Sequence, residues 1–267
     1  MADSLTHHAE AVWQAVVPSL PGFTVEVLPS IDSTSSELMR RARSGMLEPV
    51  LLTAEAQTAG RGRLGKGWHS RPGQSLTFSI ALPLAPSSWS GLSLAVGVSL
   101  AHSLHPDVRL KWPNDLWLQQ RKLGGILVET ASTGEATQGL RMVVIGVGIN
   151  IARPETAAVT ALAPAGATVA AMAPAGLAEV LVGVTPGEAL ERVVPTLVQD
   201  VLAFASQGFP TFAQRFARLD ALQGLSVRLS DGTQGTACGV TEEGALQVLT
   251  AGGMQSVTSA EVSVRPC

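Results

Sequence analysis

Apolar positions recur along this chain with two periods, and the alternation between them marks out its elements. Leu5 to Val17 has helical spacing and is closed by Pro18. Phe23 to Leu28 alternates as a strand does. Asp32 or Ser33 is placed to cap a helix running to about Arg43, with Gly45 as its stop. Val50 to Glu55 and Gln74 to Leu82 read as strands, and Ser90 to Leu104, rich in Leu, Val, Ala and Ser, as a buried helix. Val108 to Trp112 is a short strand stopped by Pro113. Ile126 to Glu129 and Met142 to Gly148 are apolar and β-branched, as interior strands are. Thr185, Pro186 and Glu188 form a capping box with proline at the first helical position. That helix should run to about Ser206 with a bend at Pro195, and a second should cover Thr211 to Leu219.

Two stretches have neither period. Gln57 to Gly73 is dense in glycine and cations and reads as a loop. Ala152 to Gly176 is dominated by Ala, Pro, Thr and Val and reads as an extended connection. Beyond Gly224 the texture changes to short alternating runs separated by Asp231-Gly232, Glu243-Gly244 and Gly252-Gly253, the pattern of a small antiparallel barrel. A domain boundary is expected near Ala221, giving a large unit over 1–220 and a small one over 221–267. The pattern by itself predicts an α+β fold with a C-terminal β module.

Composition narrows the classes of function. The chain of 267 residues suffices for one large domain, or one domain with a small appended module. A formal net charge of -3 offers no general basic field to nucleic acid. Arg61, Arg63 and Lys66, with Arg71 nearby, make a local cationic cluster better suited to a small anionic ligand. Cys238 and Cys267 make neither a disulfide framework nor a metal site, and fit reduced thiols in a cytoplasmic protein. Met1 to His8 lacks the features of a signal peptide, and no membrane span is expected.

Four segments have the composition of a site, and each also has a plain structural reading. Gly60-Arg61-Gly62-Arg63-Leu64-Gly65-Lys66-Gly67-Trp68 offers backbone N–H groups, forked cations and one flat apolar face, or is a mobile surface loop. It is neither a dinucleotide fingerprint nor a Walker loop. Lys111-Trp112-Pro113-Asn114-Asp115 follows a strand, where ligands often bind, or is a turn with a surface ion pair. Arg121-Lys122-Leu123-Gly124-Gly125 puts a cation beside an approachable backbone, or makes a tight hairpin turn. Ile145-Gly146-Val147-Gly148-Ile149-Asn150 leaves room over a strand for something flat, or lets strands pack closely.

In order and spacing these segments, with Asp32-Ser33-Thr34, Gln57 and the run to Glu129, resemble the biotin–protein ligase family over nearly the whole chain. The resemblance implies a mixed, largely antiparallel sheet with helices packed on it, like a class II synthetase, and a C-terminal SH3-like barrel. It implies that Ser33, Thr34 and Gln57 hold biotin's ureido ring with backbone from Gly60, Arg61 and Gly62, and that Ser35 also belongs to the biotin site. Arg63 and Lys122, beside Gly124 and Gly125, would meet the carboxylate and α-phosphate. Lys66, Trp68, Lys111, Asn114 and Asn150 would complete the ATP and adenylate site, and Asp115 would help the acceptor lysine react. Mg²⁺ would arrive largely on ATP's phosphates. The chain departs from the family at Ser35, where Asn is usual, and at Lys66, where Arg is common.

The implied reaction joins biotin's carboxylate to the α-phosphorus of ATP, releasing pyrophosphate. The acceptor lysine of a biotin carboxyl carrier domain, from acetyl-CoA or pyruvate carboxylase, then attacks the mixed anhydride and releases AMP. The anhydride is water-sensitive, so Gln57 to Gly73 is expected to be mobile when empty and to order on biotin. A lipoate–protein ligase would use the same two steps without a ureido group to bind. A non-catalytic biotin-responsive regulator would need a DNA-binding element, which is not expected ahead of Phe23, and specific DNA binding is not expected.

Overall fold

A computed structural model describes residues 5–132, 139–155, 173–258 and, for the backbone alone, 264–266. Most of the Ala/Pro-rich connection expected between Ala152 and Gly176 lies outside the described residues. The first element is helix α1 (Leu5–Val16). The main sheet contains β1 (Thr24–Ile31), β2 (Val50–Gln57), β5 (Ser75–Leu84), β6 (Val108–Lys111), β7 (Asp115–Leu118), β8 (Arg121–Ser132) and β9 (Arg141–Asn150). Its order is β1-β2-β5-β9-β8-β7-β6, with β1 and β2 parallel and every other pair antiparallel. A separate ribbon pairs β3 (Gly60–Arg61) with β4 (Gly67–Trp68).

Period two sorts the central strands onto two faces. Leu76, Phe78, Ile80 and Leu82 of β5, with Val143, Ile145, Val147 and Ile149 of β9, join the large core with α1, α3 (Leu92–Leu104), α4 (Pro186–Gln207) and α5 (Pro210–Leu219). Ten of the thirteen residues of α3 are buried, so this helix is apolar all round because it is enclosed. The opposite face divides. Val50, Leu52, Ala81, Met142 and Val144 are buried under Leu38, Met39 and Ala42 of α2 (Thr34–Arg43). The rest of that face carries Ser79, Gly146, Gly148 and Asn150, where small and polar residues leave a cleft.

The Thr185 capping box is formed, and α4 runs from Pro186 to Gln207 with Pro195 inside it. The C-terminal strands β10 (Ser226–Leu229), β11 (Gln234–Val240), β12 (Leu246–Thr250), β13 (Gly253–Val257) and β14 (Val264–Pro266) form one antiparallel sheet in the order β13-β12-β11-β10-β14. Closing the expected barrel requires the outer strands to pair. Among the described residues β13 and β14 do not, so the observed unit is an open sheet. It is tied to the main body by the buried Trp112, whose Nε1 donates to Gly244 O at 3.0 Å, and by Ala221 N, which donates to Leu110 O at 2.8 Å. Among the described residues no helix is long and apolar enough to cross a membrane.

Candidate active site

The cleft, of about 350 Å³, has its floor on β5, β8 and β9, and the volume suits a small organic ligand. The N-terminus of α2 forms one wall. Asp32 Oδ1 accepts from Ser33 N at 2.6 Å, and Arg40 holds the Asp32 carboxyl below the usual carboxylate range from 2.9 Å. Ser33 Oγ caps the helix by accepting from Ser36 N at 3.3 Å. The next two hydroxyls face the sheet. Thr34 donates to Gln57 Oε1 from its backbone N at 2.7 Å and from Oγ1 at 3.2 Å. Ser79 Oγ, fully buried, lies 2.8 Å from Thr34 Oγ1 and 3.0 Å from Ser35 Oγ. Sequence reasoning missed Ser79. Its signal is the alternation of Ser75, Thr77 and Ser79 with Leu76, Phe78 and Ile80, which marks one polar face inside an otherwise buried strand.

The glycine-rich segment is not the loop its composition predicts. β3 and β4 pair across a turn at Arg63–Gly65, and Gly62 N donates to Lys66 O at 2.7 Å. A Cβ at Gly60 would strike the carbonyl oxygen of Trp68, so close approach of the two strands requires glycine there. Arg61 reaches from the ribbon to the main sheet, donating to Glu129 Oε1 at 2.7 Å and Ser36 Oγ at 3.2 Å. Arg63 is half-buried and donates to Asn114 Oδ1 at 3.3 Å. Burial lowers its pKa from the usual guanidinium value, and the Asp115 charge opposes that shift. Lys66 is exposed on the ribbon.

Two glycines of β9 make room for side chains of this same chain. A Cβ at Gly146 would strike Ser35 Oγ, and one at Gly148 would stand 2.7 Å from Cζ2 and 2.8 Å from Nε1 of Trp68. The Trp68 indole therefore lies directly on the β9 backbone, and its buried Nε1 has no hydrogen-bond partner. A buried donor in that state is a standing invitation to an acceptor.

The β6–β7 hairpin and β8 supply the charged groups. Lys122 Nζ pairs with Asp115 Oδ1 at 2.7 Å, and a Cβ on Gly125 would lie 3.5 Å from that Nζ. Strict alternation would put residues 122 and 125 on opposite faces. A bulge between Leu116 and Trp117 in the β7–β8 register inserts the extra residue that brings both to the cleft. Gly124 packs against Gly148 O behind them. Asn114 Nδ2 donates to Ile126 O at 2.8 Å, and Lys111 Nζ sits 5.3 Å from the Trp117 ring centroid. Asn150 Nδ2 donates to Ala175 O at 3.1 Å, while Ala175 N donates to Lys122 O at 2.9 Å. Every residue expected at the site lines this cleft except Gly60 and Gly124, which lie just behind it. Among the described residues no group of three or more His, Cys, Asp or Glu side chains is arranged to hold a metal ion.

Uncharged hydroxyls and an amide, several cations and one carboxylate thus share a cleft with a free indole N–H, a combination that suits a polar ring carrying an anionic group. Residues 27–150 match the Biotin/lipoate A/B protein ligase family, and residues 226–265 match the Biotin protein ligase C terminal domain. The chain is 34% identical to the bifunctional ligase/repressor BirA of Escherichia coli strain K12, over 94% of this chain and 77% of that protein. It is 30% identical to the biotin–[acetyl-CoA-carboxylase] ligase of Paracoccus denitrificans, over 88% of this chain and 98% of that one. The solved biotin protein ligase from Aquifex aeolicus, in complex with biotin and ATP, superposes with a TM-score of 0.72 at 27% identity, covering 91% of this chain and 99% of that one. Cleft and sequence lead to one conclusion: this chain belongs to the biotin–protein ligase family.

Proposed function

We propose that the protein activates biotin with ATP to biotinyl-5′-AMP and transfers the biotin to a lysine of the biotin carboxyl carrier domain of acetyl-CoA carboxylase. The observation that carries this reading is the single cleft in which the Ser33, Thr34, Ser35 and Gln57 set meets Arg63 and the Lys122–Asp115 pair. A carboxylate and an amine do not condense at neutral pH without a leaving group, and adenylation supplies one. The hydroxyls and Gln57 hold the ureido ring, with the backbone of Gly60, Arg61 and Gly62 beside it. Arg63 and Lys122 stabilise the charge that gathers on carboxylate and phosphate oxygens. An incoming anion competes with Asp115 for Lys122 and frees the carboxylate to take the proton of the acceptor lysine. Trp68, Lys111, Asn114 and Asn150 serve the nucleotide, with Lys66 at the phosphates.

Mg²⁺ would be held by the ATP phosphates and would supply charge neutralisation there. A cytoplasmic location belongs to the same reading, since the reaction draws on ATP and the thiols of Cys238 and Cys267 suit a reducing compartment. We propose residues 1–220 as the catalytic domain and 221–267 as an SH3-like module. With a net charge of -3 and a cationic cluster committed to the cleft, the protein should show no biotin-dependent shift of operator DNA at physiological salt. The direct test mixes purified protein, ATP, Mg²⁺, labelled biotin and a carrier domain. Acid-stable label on the carrier lysine is expected. No label, or equal transfer of lipoate, overturns the reading.

A further inference from the structure

We propose that Ser79 is a positioning residue for the ureido ring: it relays to Ser35 the proton direction fixed at Thr34, so that Ser35, like Thr34, turns lone pairs, not protons, toward the cleft. The inference rests on biotin as the ligand. Ser79 does not line the cleft; it lies behind Thr34 and Ser35, fully buried on β5 and paired in register with Gly146.

The direction follows from a single backbone group. Thr34 N can only donate, so the Gln57 atom 2.7 Å from it is the carbonyl oxygen Oε1. That oxygen can only accept, so the Thr34 hydroxyl, at 3.2 Å, gives it its one proton. Thr34 Oγ1 must then accept from Ser79 at 2.8 Å, which uses the one proton of Ser79. Ser79 Oγ in turn accepts from Ser35 at 3.0 Å. All three protons run toward Gln57. Ser35 keeps both lone pairs and Thr34 keeps one, while the Gln57 amide retains its N–H donors. A cyclic urea brings two N–H donors and one carbonyl acceptor, and it meets that pattern. A ring without N–H groups leaves the buried acceptors unpaired. The cavity left by Gly146 seats the Ser35 hydroxyl in this chain, because a Cβ there would strike it.

The test is Ser79→Ala, which removes one hydroxyl and almost no volume. Steady-state pyrophosphate release should show KM for biotin raised about tenfold, as for loss of one oriented hydrogen bond, with KM for ATP, kcat and the melting temperature as in wild type. The double variant carrying Thr34→Val should bind biotin no more weakly than Thr34→Val alone, since the chain is already cut at the next link. Biotin KM unchanged in Ser79→Ala overturns the proposal. So do parallel rises in the KM of biotin and ATP, or additive losses in the double variant. If Ser79→Ala does not fold, an affinity for biotin in Thr34→Val equal to that of wild type overturns it. Wild-type protein run alongside separates the two ideas: without biotin-dependent pyrophosphate release it is the ligase reading that fails.

Discussion

Gly148→Ala asks whether the indole resting on β9 is a wall of the nucleotide site. The added Cβ would stand 2.7 and 2.8 Å from Trp68 Cζ2 and Nε1, and carbon contacts settle near 3.5–4.0 Å, so the ring must retreat by about 1 Å. Overpacking of that kind costs about 1–3 kcal/mol. The cost can fall on folding or on binding. Trp68 is half-buried and belongs to a two-residue strand of a separate ribbon, so it moves more readily than β9, which pairs with β5 along its whole length and with β8 from Arg141 to Ile149. Folding should therefore lose less than about 1 kcal/mol while the nucleotide site loses about 1–3 kcal/mol, a rise of roughly 5- to 150-fold in KM for ATP. Pyrophosphate release against ATP concentration at saturating biotin measures this. Calorimetric titration with biotin alone is the control, because the three atoms nearest the added Cβ all belong to Trp68 and none to Ser33, Thr34, Ser35 or Gln57. A KM for ATP equal to that of wild type refutes the reasoning, as does a loss of biotin affinity equal to the loss for ATP.

Lys122→Ala should lower biotin-dependent pyrophosphate exchange by about 10²–10³-fold, the effect of removing one preorganised charge from a developing anion, with the circular dichroism of the native fold retained; exchange near the wild-type rate argues against its role. Asp220 is half-buried, its enclosed Oδ2 has no hydrogen-bond partner, and that burial raises its pKa above the ordinary 3.8. The folded state thus holds a proton that the unfolded state has released, and stability falls as pH rises from 3.8 through the raised folded value. Asp220→Asn should flatten that slope and add about 1 kcal/mol at neutral pH, because it removes a desolvated charge whose raised pKa is a stability cost of about 1.4 kcal/mol per unit; urea melts across pH check it, and an unchanged slope counts against it. Trp112→Phe leaves Gly244 O without its donor and opens a void between the main body and the C-terminal sheet, so urea melts should show a loss of about 2–4 kcal/mol. A loss too small to resolve would mean the two units are joined elsewhere.

The sequence by itself determined most elements and picked out most of the polar and charged residues that line the cleft. Helix caps at Asp32 or Ser33 and at Thr185, β-branched runs in β8 and β9, and the four motifs are local signals, because capping and burial periodicity act within a few residues; the structure settles the first cap on Ser33. Three features were decided only by tertiary structure. The glycine-rich segment forms a ribbon because Gly60 can approach the Trp68 backbone and Arg61 finds Glu129 across 68 residues of chain. Strand β7 and the start of β8, Arg121 to Gly125, were missed because the turn between them uses Gln119 and Gln120, both in the left-handed region at φ 49° and 61°, where glycine or asparagine is the usual sign. The bulge that carries Lys122 to the same face as Gly125 has no local mark, since it exists only as a mismatch of register between two strands. Ser79 stands between these cases: its alternation is written in the chain, but the two hydroxyls it joins lie on a helix more than forty residues away, and only packing α2 onto the sheet brings the three protons into one line.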